Sequence, residues 1–206
     1  MTTTSVQKLQ MTGHKQTMIY IKFYKPYGVL CTFTDPAGRP NLSDYLYEPD
    51  VYTAGRLDMD SEGLLFLTND GELNHRITSP KYHLPKTYYV LVEGLINSAA
   101  IQLLSSGPII KGNYKTKSCY VEPIPEPILP ERGKEITPHG PTAWILMRLN
   151  EGKKRQIRHM TAAVGLPTLR LVRVSIGPIQ LSDLQPGQWA YLKQDELVQL
   201  RNDLKI

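Results

Sequence analysis

Hydrophobic positions along this chain fall into short blocks separated by turn-forming residues. The apolar run Leu64-Leu65-Phe66-Leu67 is bounded by Asp60-Ser61-Glu62-Gly63 and Asn69-Asp70-Gly71, a pattern that predicts a buried strand. Residues 87–93 are rich in aromatic and β-branched side chains and predict a second. Further strands are expected over 18–24, 29–34, 114–121 and 143–149, with one or two more in 169–180. Helices are expected over 41–46, capped by Asn41 or Ser43, and over 72–77, stopped by Ser79-Pro80. Others are expected over 97–104, capped by Asn97 or Ser98, over 154–164, stopped by Gly165 and Pro167, and over 193–204. Residues 122–141 hold many prolines and read as a long loop. Strands and helices mix without regular βαβ alternation or an internal repeat. The fold class is therefore α+β, with a mixed, largely antiparallel sheet flanked by helices.

The 206 residues suffice for one sizeable core or two small ones. No run approaches the roughly 18 consecutive apolar residues of a membrane span. Residues 1–17 are polar and Thr-rich, lack the apolar centre of a signal peptide, and read as a disordered tail ahead of a domain over 18–206. Cys31 and Cys119 lie far apart, and neither has metal-ligand neighbours at zinc spacing. No metal and no disulfide framework are expected, and a reducing cytoplasm fits. The formal charge of +5 points toward a polyanionic partner.

Three stretches are candidates for chemistry. In Gly55-Arg56-Leu57-Asp58, the acid sits on a loop entering the Leu64–Leu67 strand, where a scaffold can hold a reactive group. Alternatively, Asp58 is a turn acid that accepts backbone N–H groups or pairs with Arg56. In Lys86-Thr87-Tyr88, the tyrosine either packs with its hydroxyl near solvent or walls a pocket for a planar base, where stacking is worth roughly 1–3 kcal/mol. Residues 151–160 form the densest basic run. On a helix, Ile157, Met160, Thr161 and Val164 share one face, and Lys154, Arg155, Arg158 and His159 lie away from it. The run is either a solvated face or a phosphate-contacting surface with Arg158 turned toward an acid. No acid follows within one or two helical turns, so local pairing does not explain these charges.

Taken together and in this order, three motifs resemble the pseudouridine synthases, in the branch typified by RsuA. They are Gly55-Arg56-Leu57-Asp58 with Ser61-x-Gly63-Leu64-Leu65, Lys86-Thr87-Tyr88, and Glu151-Gly152-Lys153-Lys154-Arg155-Gln156-Ile157-Arg158. Lys25-Pro26-Tyr27-Gly28 and Gly165-Leu166-Pro167 with Leu169-Arg170-Leu171 look like that branch too, and the likeness runs over residues 18–190. Most of the branch carries an N-terminal S4 RNA-binding domain. Only a short polar stretch precedes Met18, so none is expected here, as in the type that acts on large-subunit RNA. The resemblance implies the pseudouridine synthase catalytic fold, with two half-domains around a central cleft. It also implies isomerisation of a uridine to pseudouridine in ribosomal RNA, most closely 23S, without a cofactor; for the oligomeric state, a monomer is the default expectation. Asp58 would be the catalytic carboxylate, with attack on the ribose, attack on the ring and abstraction of a ribose proton all left open. Arg158 would be its ion-pair partner, Tyr88 would stack on the uracil, and Leu171 or Leu169 would form the opposite wall. Arg56 would fill the gap left by the extruded base. Lys153, Lys154 and Arg155 would meet the RNA backbone. Two other readings compete: a non-catalytic RNA-binding or ribosome-assembly protein on the same fold, and a glycoside hydrolase pairing Asp58 with Asp60 or Glu62. The hydrolase leaves the basic run without a role.

Overall fold

The computed structural model describes residues 17–206. The tail expected over 1–17 lies outside the described residues except for Thr17. The chain opens with β1 (Tyr20–Lys25), then a single 3-10 turn at Leu42–Asp44, β2 (Tyr52–Thr53), β3 (Glu62–Thr68), α1 (Gly71–Thr78), β4 (Lys86–Glu93) and α2 (Ser98–Ser105). There follow β5 (Ile109–Ile110), β6 (Tyr114–Lys115), β7 (Tyr120–Ile124), β8 (Thr142–Leu149) and α3 (Gln156–Ala163). The last elements are β9 (Thr168–Ile176), β10 (Ile179–Gln180), β11 (Trp189–Tyr191) and α4 (Gln194–Leu204). The main sheet runs β11-β1-β3-β9-β4-β8-β7, with β10 added to β9 and β2 to β3. Its pairs are antiparallel except for β3 with β9, where Glu62 faces Val172 and Gly63 faces Arg173. The fold is thus α+β with a mixed, largely antiparallel sheet, and β5 and β6 form a separate hairpin. No helix among the described residues is long and apolar enough to cross a membrane.

β3 is buried along its whole length, which is why its sequence is continuously apolar rather than alternating. Leu64 and Phe66 join Tyr24, Val172 and Ile176 on one face, covered by Leu73 and Ile77 of α1 and Leu197, Leu200 and Leu204 of α4. Leu65 and Leu67 join Ile21, Phe23, Leu42 and Leu57 on the other. Across the sheet, Val90, Ile145 and Leu171 are covered by Ala100 and Leu104 of α2 and Ile157 and Met160 of α3. Tyr88 packs against both of these last two clusters, at the seam between the halves of the sheet. The seam closes because residue 63 is glycine. Its φ is +100°, and a Cβ there would lie 2.3 Å from the backbone oxygen of Arg173. Helix starts follow local chemistry: Asp70 accepts the Leu73 N–H at 3.0 Å for α1, and Asn97 accepts the Ala100 N–H at 2.8 Å for α2.

Several expected elements differ. The helix expected over 41–46 is only a 3-10 turn at Leu42–Asp44, closed by the reciprocal bonds between Asn41 and Asp44. The strand expected over 29–34 is reduced to one bridge between Leu30 and Asn41. Lys25 Nζ donates to the carbonyls of Pro26 (2.8 Å) and Val29 (2.7 Å), which folds this backbone into a turn. The strand expected over 114–121 breaks into β6 and β7, because the Lys117 N–H goes to Glu151 Oε1 at 2.8 Å rather than to a neighbouring strand. β7 then runs into the expected loop as far as Ile124, its Pro123 tolerated on the sheet's edge strand.

Candidate active site

Where the seam opens on the face of Tyr88, a cavity of about 380 Å³ gathers residues distant in sequence. Arg56 and Asp58 enter it from the loop between β2 and β3, Tyr88 from β4, Leu171 from β9, and Lys153, Lys154 and Arg155 from the segment between β8 and α3. Leu171 lines the cavity, and Leu169 is not among the lining residues.

Asp58 is placed by its neighbours. Its carbonyl accepts the Ser61 N–H at 3.0 Å, closing the turn into β3. On one side, the Leu57 peptide is bracketed by Cys31 Sγ, at 3.2 Å from its N–H and 3.3 Å from its carbonyl oxygen. On the other, the Met59 carbonyl accepts the Gly28 N–H at 2.8 Å. Lys25 Nζ sits beneath the same loop at 3.5 Å from the Met59 carbonyl, and burial pulls its pKa down to about 8. The Lys-Pro-Tyr-Gly segment therefore acts as a foundation for the Asp58 loop.

The basic segment is pinned from below. Glu151, 9% exposed, accepts from the Lys117 N–H, the Tyr114 hydroxyl (2.8 Å) and the Gln156 amide (2.6 Å). Burial opposes its charge, but these donors outweigh burial and leave its pKa lowered. Gln156 Oε1 in turn accepts the Lys153 N–H at 2.8 Å, and Lys153 Nζ lies 4.8 Å from the centre of the Tyr114 ring. Lys154 is exposed and belongs to none of the ion pairs among the described residues.

The ion pair expected between Arg158 and Asp58 is made with Asp60 instead. Arg158 Nε lies 3.3 Å from Asp60 Oδ2, its Nη2 donates to the Asp60 carbonyl at 2.7 Å and its Nη1 to the Thr168 carbonyl at 3.1 Å. Arg158 is not among the lining residues. Arg155, expected on the RNA backbone, commits both Nη atoms to Asp60 at 2.8 Å each. The reason is local: the helix expected from residue 154 starts at Gln156, and Arg155 takes φ +54° as its cap, which turns the side chain back across the cleft. Burial lowers the pKa of Arg158, and the charges of Asp60 and, more weakly, Asp58 resist that shift. Burial opposes the charge of Asp60, but the bonds from Arg155 and the charge of Arg158 hold its carboxyl below the ordinary value.

The sequence reading has no role for Lys86, Arg173 or Ser61, all of which line the cavity, and gives Asp60 only the part of a hydrolase's second carboxylate. The arginines at 155 and 158, with no acid on their own helix, are the one sequence signal that points to a distant carboxylate such as Asp60.

Comparison with known proteins agrees with this arrangement. The RNA pseudouridylate synthase family matches residues 19–163. The chain is 48% identical over 171 residues to a ribosomal large subunit pseudouridine synthase E of Vibrio parahaemolyticus, covering 82% of this chain and 71% of that one. It is 47% identical over 173 residues to the protein of the same name from Xanthomonas campestris, covering 80% and 90%. A crystal structure of a pseudouridylate synthase superposes with a TM-score of 0.75 at 30% identity, covering 89% of this chain and 74% of that one. The matched region contains the Asp58 loop, Tyr88 and the whole basic segment, so the sheet, its seam and the motifs around the cavity place this chain in the RNA pseudouridine synthase family.

Proposed function

We propose that this chain isomerises a uridine of large-subunit ribosomal RNA to pseudouridine, with Asp58 as the catalytic carboxylate. One observation carries the reading. A single cavity brings together a carboxylate on an anchored loop, an aromatic wall, an apolar wall and a basic rim. RNA binding alone needs the rim but has no use for a carboxylate facing a phosphate polymer. The target class rests on the large-subunit synthases at 48% and 47% identity.

The reaction breaks the C1′–N1 bond of uridine, turns the base and joins C1′ to C5. Nothing is oxidised and no group is lost, so a carboxylate and a shaped pocket suffice. Asp58 serves as nucleophile or base. Tyr88 and Leu171 hold the uracil between them, and Arg56 fills the place it vacates in the RNA. Arg158, seated on the Asp60 carboxylate and carbonyl, holds the loop that carries Asp58 in place. Lys153 and Lys154 lie along the phosphates. Every one of these residues comes from one chain, which is in keeping with a monomer as the active unit. The free thiols of Cys31 and Cys119 suit a reducing cytoplasm.

The test is tritium release from ribosomal RNA labelled at C5 of uridine. Release from large-subunit RNA, and none from small-subunit RNA, is expected. RNA binding without release from either would make the chain a non-catalytic binding protein.

A further inference from the structure

β9 buries two arginines with different fates. Arg170 is held by Glu62, with Nε at 3.0 Å from Oε2 and Nη2 at 2.9 Å from Oε1. Arg173 is only 2% exposed and belongs to none of the ion pairs among the described residues. Its Nε donates to the Leu64 carbonyl at 2.7 Å, and its Nη2 is sealed from solvent without an acceptor. Arg158 and Arg201 also carry an unpaired buried nitrogen, but each has a carboxylate nearby, Asp60 at 3.3 Å and Asp70 at 3.6 Å. Arg173 has none. Its neighbour Lys86 registers the charge: burial, and then Arg173, push the Lys86 pKa down to about 8. A buried guanidinium N–H without an acceptor is among the costlier groups a fold can keep, and such groups persist where a ligand completes them.

Position identifies the ligand group. Arg173 pairs across the sheet with Tyr88 and lies two residues along β9 from Leu171, and all three line the cavity. A planar base held between Tyr88 and Leu171 turns an edge toward Arg173, and the acceptors on the edges of uracil are its two carbonyl oxygens. We propose that Arg173 is a further catalytic residue, which donates to a carbonyl oxygen of the extruded uracil and stabilises the negative charge that gathers there during isomerisation. This rests on the reading of Asp58 as the catalyst.

The electron count requires such a charge by every route open to Asp58. Cleavage of C1′–N1 leaves the bonding pair on the uracil, spread over N1, O2 and O4. Asp58 either bonds C1′ and is later displaced by C5, or takes the C2′ proton and returns it. If it instead adds to C6 of the ring, the displaced pair goes to O4. In each case the pair returns to form C1′–C5, the C5 proton leaves to solvent and N1 takes up a proton; in the C6 route the Asp58–C6 bond breaks as the ring double bond is restored. Arg173 stays protonated throughout. A preorganised donor aimed at developing charge in a site shielded from water is worth far more than the same donor in water.

The experiment compares uridine with 5-fluorouridine at the target position of a large-subunit RNA fragment, following glycosidic cleavage in single turnover. Fluorine withdraws electrons and stabilises the uracil anion, so it replaces part of what Arg173 supplies. Arg173→Met is expected to slow the uridine reaction by about a hundredfold or more. Its deficit on 5-fluorouridine is expected to be about tenfold smaller, with RNA affinity and its salt dependence unchanged. Arg173→Lys, which keeps the charge on a different donor, is expected to fall between the two and carries the comparison if Arg173→Met does not fold. Equal deficits on both substrates would overturn the proposal, leaving Arg173 a packing residue. So would a lowered salt slope with the saturated rate intact, which is the signature of a phosphate contact. In either case Asp58→Asn would still abolish turnover by the wild-type route, whereas a wild type inactive on every ribosomal RNA would remove the reading beneath the proposal.

Discussion

Asp60→Asn removes one charge and almost no volume from the point where α3 meets the Asp58 loop. Two guanidiniums lose their countercharge. The Arg155 pair is about one-third exposed, with side chains 38% and 29% accessible, so screening limits its worth to about 0.5–1 kcal/mol. The Arg158 side chain is 13% accessible and keeps its bonds to the carbonyls of Asp60 and Thr168. Losing only the carboxylate there costs about 1–2 kcal/mol, below the roughly 3–5 kcal/mol for breaking a fully buried pair. The sum is about 2 kcal/mol, which for a chain of this size lowers Tm by about 4–8 °C. The effect depends on pH with a definite sign. The Asp60 carboxyl is held below its ordinary value, so its contribution is complete at neutral pH and is lost as pH falls through the lowered folded-state value. Thermal unfolding followed by circular dichroism should therefore find a constant gap between wild type and Asp60→Asn from about pH 6 to pH 8, narrowing below about pH 4. A Tm within about 1 °C of wild type at neutral pH, or a gap that does not narrow in acid, would refute this role for the Asp60 ion pairs.

Tyr88→Phe should retain RNA affinity better than Tyr88→Ala, by the roughly 1–3 kcal/mol that stacking supplies, and equal losses in a filter-binding titration would count against the aromatic wall. Lys154→Ala should lower the slope of log affinity against log salt by about 1, whereas Arg155→Ala should change the slope less and Tm more, because its side chain is committed to Asp60. Gly63→Ala should cost at least about 3 kcal/mol, since its Cβ meets the Arg173 backbone at 2.3 Å in a left-handed conformation, and a melt within a degree or two of wild type would mean that the seam can relax.

What was legible in the sequence depended on where each signal resides. β3 can be read because its burial is written in consecutive apolar side chains, and β4 because its residues are aromatic and β-branched. β2 and β11, two and three residues long, cannot, because they owe their strand geometry to pairing with β3 and β1. α3 starts two residues later than periodicity predicts for a similar reason. Arg155 adopts a left-handed conformation in which both its Nη atoms reach Asp60, 95 positions away. Periodicity cannot anticipate such a contact. Motifs of several residues, such as Gly-Arg-Leu-Asp and Lys-Thr-Tyr, drew attention to Asp58 and Tyr88. A lone basic residue in Leu-Val-Arg-Val did not, since strand alternation assigns Arg173 to a solvent face as readily as to a pocket. Only the place of β9 in the sheet, paired with β3 on one side and β4 on the other, decides between them.

The central claim is that the carboxylate of Asp58 performs the isomerisation. The most direct measurement is tritium release from C5-labelled large-subunit ribosomal RNA by purified Asp58→Asn beside wild type, with melting and RNA affinity measured on both. Asn is nearly isosteric with Asp and offers neither nucleophile nor base. The expected result is release by wild type and none above background by the variant, with an unchanged Tm and RNA affinity. Release by Asp58→Asn at a rate near wild type would show that the chemistry lies elsewhere and would contradict the assignment.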